Sequence, residues 1–392
     1  MIRCILKPGK EKPVLGRHPW IFSGAIDQID EGYSAGSLVR ILSSRGDFLG
    51  IGSLNPESQI AVRVLSFQEE PIDGDFFKRR IQEAYDLRVS LGVLSAQTNA
   101  CRIVHAEGDF LPGVVADLYG PCLVVQFLTA GAERWKREIA AALESVIRPA
   151  QIYESGESEF RVKEGLRKVS GVLHGPSDPP EEIEILENGL RFYVSPVTGQ
   201  KTGFFLDQRD NRTLVRKTSG GRKVLNAFSY TGAFSVYAAA GGAVRVTSVD
   251  TSASALLGAE RHMKANAPGT PHEAVKRDVF DFLRQDGQTY GLVILDPPAF
   301  CKHKSQLDAA CRGYKDINLA ALKRIQPGGF LFTASCSSYL SGDLFQKVVF
   351  SAAKDASKSV RLIARTGHAP DHPVSLGHPE GEYLKGLFCQ VL

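Results

Sequence analysis

The chain lacks paired cysteines, long apolar runs and a strong charge of either sign. Its 392 residues include seven scattered cysteines and no Cys-x-x-Cys pair. This pattern argues against a disulfide framework and against a zinc or iron–sulfur site, so we expect no metal. The absence of a stretch of about 18 apolar residues argues against a membrane-spanning helix. Residues 1–8 also lack the apolar core of a signal peptide, and we therefore expect a cytoplasmic protein.

The length and the local patterns predict three domains. A net charge of +4 permits a nucleic-acid partner without requiring one. Short alternating stretches broken by Gly and Pro predict a small β-barrel over residues 1–72. Mixed helical and strand patterns predict a middle α+β domain over 73–182, which ends in an acidic, Pro-rich linker. The third domain, 183–392, begins with a hairpin whose turn is Asn188-Gly189.

After this hairpin, apolar strands alternate with helical stretches. The expected strands cover 223–228, 244–249, 274–276, 292–295 and 330–334, and the helical stretches between them include 233–241, 253–266 and 313–325. This alternation predicts an α/β fold, with a doubly wound, Rossmann-like parallel sheet in the C-terminal domain. Open sheets of this type bind ligands at the carboxyl ends of their strands.

The first strand, turn and helix start of this domain predict a cofactor site. The turn lacks the G-x-G-x-x-G pattern with which bare backbone approaches a pyrophosphate. A cofactor without phosphates, gripped by side-chain and backbone hydrogen bonds, therefore fits better. The residues expected to bind it are Asn226, Phe228, Ser229, Tyr230, Thr231 and Gly232.

Acidic residues follow the next strands at the same edge. Asp250 ends the second strand, where an acid binds ribose hydroxyls, and Ser252 opens the following helix. Asp278 follows the third strand, in reach of an adenine amine, and Asp296-Pro297 follows the fourth. Polar residues at four successive strand ends predict S-adenosylmethionine as the cofactor. The residues expected to bind it at these strand ends are Asp250, Ser252, Asp278, Asp296 and Pro297. Any one of the acids could instead cap a helix.

A polar stretch just before the sheet predicts a flap over the cofactor. Residues 200–212 combine acidic, basic and amide side chains with two phenylalanines. A charged entry into a helix is the simpler interpretation, but we favour the flap because so many polar groups occur in so few residues. It is expected to contribute Lys201, Phe204, Asp207, Gln208 and Arg209.

Two residues at this edge predict the chemistry on the acceptor. Asp296-Pro297-Pro298-Ala299-Phe300 is typical of enzymes that methylate planar exocyclic amines, and alone it favours nitrogen as the acceptor. Cys336 ends the next strand on the same edge and favours carbon 5 of a cytosine instead. That carbon becomes nucleophilic only after a thiolate adds at carbon 6. Cys336 could equally be a small residue after a buried strand, and Cys301 is a rival nucleophile.

The chain resembles the bacterial 23S ribosomal RNA cytosine-5 methyltransferases of the RlmI type. The similarity runs over nearly the whole chain and includes His18–Phe22, Gly203–Arg209, Asn226–Gly232, Asp296–Pro298, Cys311–Lys315, Ser335–Ser337 and Pro379–Gly386. It implies an N-terminal PUA domain, a middle domain and a C-terminal class I methyltransferase domain. It also implies that Cys336 is the nucleophile. The chain departs from the family pattern at Cys301 and at Ser338-Tyr339.

The leading hypothesis is therefore methylation of cytosine carbon 5 in 23S-type ribosomal RNA, with Cys336 and Asp296 as catalytic residues. Nitrogen methylation of guanine or adenine in ribosomal RNA is the first alternative. The second is a non-catalytic RNA-binding or ribosome-assembly protein. We expect no membrane partner, and a homodimer stays open. Basic and aromatic residues near the N-terminus could contact RNA or belong to the core, namely Lys7, Arg17, His18 and Trp20.

Overall fold

The computed structural model describes residues 1–179, 181–199 and 202–392. Its contacts divide the chain into two compact units. The first comprises Met1–Leu186, Val194–Leu206 and Pro370–Gly381, and the second comprises Glu187–Tyr193, Asp207–Ala369 and Glu382–Leu392. The expected boundaries of three domains at residues 72 and 182 stay a prediction.

The first unit begins with a six-stranded sheet in the order β2-β6-β5-β4-β1-β3. The strands and the α-helix of this region are β1 (Ile2–Leu6), α1 (Lys12–Leu15), β2 (Trp20–Phe22), β3 (Ile26–Ile29), β4 (Ser37–Leu42), β5 (Phe48–Leu54) and β6 (Ile60–Ser66), with a single 3-10 turn at Ser23–Ala25. Aliphatic side chains from these elements form a small separate core that includes Ile21, Val39 and Val62. The expectation of several closely spaced strands in this region is confirmed.

A five-stranded sheet follows in the same unit, in the order β11-β10-β9-β8-β7. The elements are α2 (Gly74–Ser90), β7 (Ala100–His105), β8 (Val114–Tyr119), β9 (Cys122–Phe127), α3 (Ala130–Arg134), α4 (Lys136–Ile147), β10 (Gln151–Glu154), α5 (Glu159–Lys163) and β11 (Gly171–His174). The carboxylate of Asp73 caps α2 by accepting from the backbone N–H of Phe76 at 3.0 Å. Apolar side chains of α2 and α4 share one core with this sheet.

The expected hairpin connects β12 (Ile183–Glu187) to β13 (Leu190–Val194). Its turn residues Asn188 and Gly189 both have positive φ, 52° and 77°. Two positive φ values in a two-residue turn match the twist of the flanking strands, and Asn-Gly is the pair that adopts them most readily.

The second unit is built on a seven-stranded sheet in the order β16-β15-β14-β17-β18-β20-β19. Its elements are α6 (Arg209–Thr218), β14 (Lys223–Ala227), α7 (Ala233–Ala240), β15 (Arg245–Asp250), α8 (Ala253–Asn266), β16 (His272–Lys276), α9 (Val279–Gln285), β17 (Tyr290–Leu295), α10 (Leu307–Arg324), β18 (Ile325–Ser335), α11 (Gly342–Asp355), β19 (Val360–Thr366) and β20 (Lys385–Val391). The predicted α/β fold is confirmed, since β14 to β18 pair in parallel.

The last two strands of this sheet were not predicted, and one of them, β20, runs opposite to all the others. β20 pairs antiparallel with both β18 and β19. An antiparallel strand presents its first residue at the edge where a parallel neighbour presents its last. Lys385, the first residue of β20, consequently lies opposite Ser335, the last residue of β18.

In the part of the chain that the structure describes, no helix is both long and apolar enough to cross a membrane. The same residues contain no group of three or more His, Cys, Asp or Glu side chains arranged to hold a metal ion.

A buried ion pair joins the hairpin end to α6 in the second unit. Glu187 is fully buried, and it accepts two hydrogen bonds of 2.7 Å from the guanidinium of Arg212, which is 1% exposed. The phenol of Tyr237 donates to the same carboxylate at 2.9 Å. Such a pair offsets the cost of desolvating its charges only while both partners are present.

We therefore expect Glu187→Gln to lower the free energy of unfolding by ~3–5 kcal/mol, because it leaves the buried Arg212 charge uncompensated. Urea unfolding followed by circular dichroism measures this change. Glu273→Gln is the control, since its ion pair with Arg245 is exposed and contributes little. Equal stability of the Glu187 and Glu273 variants would contradict the expectation.

Candidate active site

The turn after β14 has an unusual backbone. Phe228 and Tyr230 have φ values of 61° and 46°, and Gly232 has 74°. Left-handed conformations at residues other than glycine cost free energy and cluster at ligand sites. Gly232 also has no room for a side chain, because a Cβ there would lie 2.6 Å from the Cβ of Ala259. The turn thus places backbone amides at the carboxyl edge of the sheet, where a ligand could approach them closely.

Asp250 holds this turn from the neighbouring strand. Its carboxylate accepts from the backbone N–H of Tyr230 at 2.8 Å and from that of Ser252 at 2.9 Å. A carboxylate offers about four acceptor positions, so these two bonds leave capacity for a pair of ligand hydroxyls. Binding of ribose hydroxyls by Asp250 stays a prediction.

Two polar side chains near the turn differ in their surroundings. Asn226 is buried and donates to the hydroxyl of Ser235 at 2.9 Å, so its amide group contributes to the core under the turn. Ser229 is also buried, and its hydroxyl has no hydrogen-bond partner among the described residues. A buried hydroxyl without a partner is costly, and a bound ligand that supplied one would remove the cost.

Two of the predicted cofactor ligands also act as helix caps. Ser252 accepts from the N–H of Ala255 at 3.2 Å, at the start of α8. Asp278 accepts from the N–H of Asp281 at 3.1 Å, at the start of α9, and it is exposed. Thr231 accepts through its carbonyl from a ring nitrogen of His262 at 2.8 Å. These contacts account for the residue types without a ligand, and binding by these side chains stays a prediction.

The residues of the predicted flap contact different partners. Gln208 is buried and donates to the Asp296 carboxylate at 2.9 Å, and Asp207 accepts from the Tyr383 phenol at 2.6 Å. Arg209 lies 3.3 Å from the buried Glu187 carboxylate, within the network of Arg212. Gln208 is therefore the flap residue that the structure brings directly to the candidate site.

Two more residues of the predicted flap are Phe204 and Lys201. Phe204 belongs to the first unit, where its carbonyl accepts from the phenol of Tyr119 at 3.4 Å. Lys201 falls outside the described residues.

Asp296 follows β17 directly and is half-buried, and Pro297 after it is buried. Phe300 packs against Tyr314, with ring centroids 4.6 Å apart, and the absence of a side chain at Gly313 leaves room for its ring. This aromatic ring therefore contributes to the core of the second unit.

Cys336 follows β18 directly and is half-buried, between two buried serines. Ser335 donates to the phenol of Tyr314 at 2.9 Å, and Ser337 is bonded to the same phenol at 3.0 Å. The backbone N–H of Cys301 donates to Ser337 at 3.2 Å. These bonds fix the backbone on both sides of Cys336, which is the requirement for a positioned nucleophile.

A lysine that was not predicted from the sequence binds the loop that follows Cys336. The ammonium of Lys385 donates to the carbonyl oxygens of Ser337 at 2.7 Å and of Tyr383 at 2.9 Å. In the sequence, Tyr383, Lys385 and Tyr314 stand out only as parts of stretches that resemble the family. A signal for Lys385 existed, namely a charged residue at the start of an otherwise apolar strand.

Four of the other cysteines have surroundings that disfavour the thiolate form. Burial raises the pKa of the Cys4 and Cys122 thiols to about 12 and that of Cys389 to about 11. Burial and the nearby Asp308 raise the pKa of Cys311. Cys301 is 3% exposed, and its thiol donates to the carbonyl of His303 at 3.2 Å. No disulfide is present among the described residues.

The four predicted RNA contacts have partners within the first unit. Trp20 donates through its indole N–H to Glu107 at 2.8 Å, and His18 lies 3.2 Å from the carboxylate of Glu380. Lys7 is exposed and donates to the carbonyl of Gly24, and the exposed Arg17 lies over the ring of Phe67. RNA binding by these residues stays a prediction.

Comparison with known families identifies two matching regions. Residues 4–67 match a PUA-like domain family, and residues 102–380 match a family of S-adenosylmethionine-dependent methyltransferases. The β-sheet unit at the N-terminus is therefore PUA-like, as the resemblance implied.

Similar proteins match the chain over its whole length. Ribosomal RNA large subunit methyltransferase I of Shewanella denitrificans is 46% identical, with 100% of this chain and 99% of that protein covered. The protein of the same name from Pseudoalteromonas translucida is 45% identical, with 98% of each covered.

Solved structures agree with this assignment. A protein from Streptococcus mutans, provisionally designated a SAM-dependent methyltransferase, is 26% identical with a TM-score of 0.84 over 100% of both chains. SMU.776, provisionally designated a methyltransferase and crystallised with SAH, is 27% identical with a TM-score of 0.86, again over 100% of both chains.

We expect Gly232→Ala to weaken S-adenosylmethionine binding by about tenfold, equivalent to ~1.4 kcal/mol. The new methyl group would clash with Ala259 and strain a left-handed backbone, and both effects distort the turn. Isothermal titration calorimetry measures the affinity. Gly269→Ala is the control, because its φ is ordinary and a Cβ there meets no atom within 4 Å. Unchanged affinity in the Gly232 variant would count against the turn as the cofactor site.

Proposed function

Since the chain belongs to the family of S-adenosylmethionine-dependent methyltransferases, and within it to the group of ribosomal RNA large subunit methyltransferases I, we propose that it methylates carbon 5 of a cytosine in large-subunit ribosomal RNA. The observation that carries this proposal is the position of Cys336. Its thiol follows β18 directly, and Asp296 follows the adjacent parallel strand β17.

The second unit has residues suited to S-adenosylmethionine. When bound, this cofactor supplies an electrophilic methyl group on a sulfonium. The strained turn of Phe228–Gly232 would offer backbone amides, Asp250 would accept from the ribose hydroxyls, and the buried hydroxyl of Ser229 would gain its missing partner. The fit rests on these features of the turn.

Carbon 5 of a cytosine requires activation before it accepts a methyl group. The Cys336 thiolate would add to carbon 6, and the electron pair of the former 5,6 double bond would then attack the methyl group from carbon 5. Loss of the carbon 5 proton to a base restores the double bond and expels the thiolate. The product is 5-methylcytosine, and the cysteine returns to its starting state.

Asp296 is suited to hold the cytosine during these steps. Its carboxyl group would contact the N3 and N4 edge of the base and, when protonated, would donate the proton that offsets charge developing on the ring. The amide of Gln208, itself held by the amide of Asn211 at 2.5 Å, fixes the orientation of this carboxyl group. Asp296 therefore needs no substrate to be preorganised.

Nitrogen methylation remains the alternative, because Asp296 begins an Asp-Pro-Pro-Ala-Phe motif. In that reaction an aromatic side chain after the prolines would stack on the target base. The packing of Phe300 against Tyr314 favours a core role for this ring and so favours carbon as the acceptor. A non-catalytic assembly protein is disfavoured by the cofactor turn with its strained backbone.

The substrate base must leave its stack to reach a residue at a sheet edge, so the proposal favours a loop or a partly open helix in the RNA. The PUA-like region would bind RNA, with Lys7 and Arg17 as its exposed basic candidates. Ribosomal RNA as substrate and seven cysteines without disulfides fit a cytoplasmic enzyme.

We expect Cys336→Ala to abolish carbon methylation, with a loss of at least ~1000-fold, because no other step makes carbon 5 nucleophilic. Mass spectrometry of nucleosides from treated large-subunit ribosomal RNA measures the product. Cys301→Ala is the matched control and keeps its activity if Cys336 is the single nucleophile. Methylation at full rate by the Cys336 variant, or a methyl group found on a ring nitrogen or exocyclic amine, would contradict the proposal.

A further inference from the structure

Lys385 is a buried lysine at the end of the sheet where the proposed chemistry occurs. It is 8% exposed, whereas a lysine normally keeps its ammonium in water. The ammonium has three N–H bonds, and the carbonyls of Ser337 and Tyr383 take two of them. The described residues supply no acceptor to the third N–H, and two neutral carbonyls do not balance the positive charge.

The position of Lys385 relative to Cys336 is set by strand pairing. Lys385 lies directly opposite Ser335 across the antiparallel pair of β20 and β18. Its ammonium then reaches past the cysteine to the carbonyl of Ser337. The lysine therefore contacts the loop on one side of Cys336 and pairs with the strand on the other.

We propose that Lys385 is a positioning residue that stabilises the thiolate of Cys336 and fixes the loop that carries it. This inference rests on the proposed function for the role of Cys336. A nearby cation lowers the pKa of a thiol because it favours the charged form, and reactive cysteines typically have such a neighbour.

The charges around the two groups are consistent with this pairing. Burial lowers the pKa of Lys385, while a Cys336 thiolate and Glu382 raise it. Tyr314, from α10, faces the same loop, and burial raises the pKa of its phenol, so that it stays neutral near pH 7. The lysine and the cysteine thus each favour the charged form of the other.

The same segment connects the loop that carries Cys336 to Asp296. Lys385 holds the carbonyl of Tyr383, whose phenol donates to Asp207 at 2.6 Å. The next residue, Gln208, orients Asp296. Five consecutive residues, Glu382–Gly386, therefore include both a contact to the nucleophile loop and a contact beside the base-binding carboxylate.

The test is the pH dependence of alkylation of Cys336 by iodoacetamide in the full-length protein, followed by mass spectrometry of the peptide that contains it. We expect Lys385→Met to raise the midpoint by about one pH unit, which corresponds to a thiolate fraction about tenfold lower at pH 7. The midpoint is more informative than the rate at one pH. A thiol of higher pKa has a smaller thiolate fraction, but its thiolate is more nucleophilic, which partly offsets the loss of rate. If Lys385 only holds the loop in place, its removal would change the plateau rate of alkylation and leave the midpoint unchanged.

Two variants serve as controls. Lys347→Met removes an exposed lysine that pairs with Asp343, and it should leave the midpoint unchanged. Lys385→Arg keeps the charge and should restore most of the wild-type midpoint. A folded Lys385→Met protein with the wild-type midpoint would overturn the inference.

A measurement on the other partner covers the case in which Lys385→Met does not fold. The coupling is reciprocal, so the pKa of Lys385 should fall by about one pH unit in Cys336→Ala, followed by NMR of the labelled lysine side chain. An unchanged lysine pKa would overturn the inference. The proposed function fails separately, if Cys336→Ala still methylates RNA, whatever the thiol titration gives.

Discussion

The candidate site depends on one constraint, the common direction of five neighbouring strands. Parallel strands end at the same edge of a sheet, so residues far apart in sequence meet there. In the order β16-β15-β14-β17-β18, this edge carries Asp278, Asp250, the turn after Asn226, Asp296 and Cys336. A reversed strand would remove its residue from the site. The residues proposed to bind the cofactor therefore lie on one side of the sheet centre, and those proposed to act on the cytosine lie on the other.

The reversed strand β20 adds to the site from the opposite direction. Because it runs antiparallel to β18, its first residue, Lys385, meets the last residues of β18. The sheet thereby supplies a buried cation beside a thiol without a dedicated loop. The phenol of Tyr314 and the two serines around Cys336 complete a network of hydrogen bonds. Such a network costs little reorganisation when charge develops.

Much of this arrangement could be predicted from the sequence, for a clear physical reason. Short apolar runs that end in Asp250, Asp296 or Cys336 combine a local strand pattern with a polar residue at its end. Because the strands are parallel, these polar residues all lie at the same edge of the sheet. Contacts made by long side chains across the fold gave no such local signal. The ion pair of Arg209 with Glu187 and the packing of Phe300 against Tyr314 are such contacts. Lys385 was missed because the antiparallel end of the sheet was not predicted.

The central claim is that Cys336 forms a covalent bond to carbon 6 of a cytosine. It is tested most directly with large-subunit ribosomal RNA transcribed with 5-fluorocytidine, incubated with the full-length protein and S-adenosylmethionine. Fluorine at carbon 5 cannot leave as a proton does, so the adduct should persist after methyl transfer. The account predicts a protein–RNA adduct that depends on the cofactor and maps to Cys336 by peptide mass spectrometry. An adduct at Cys301, or ring-nitrogen methylation with no adduct, would contradict it.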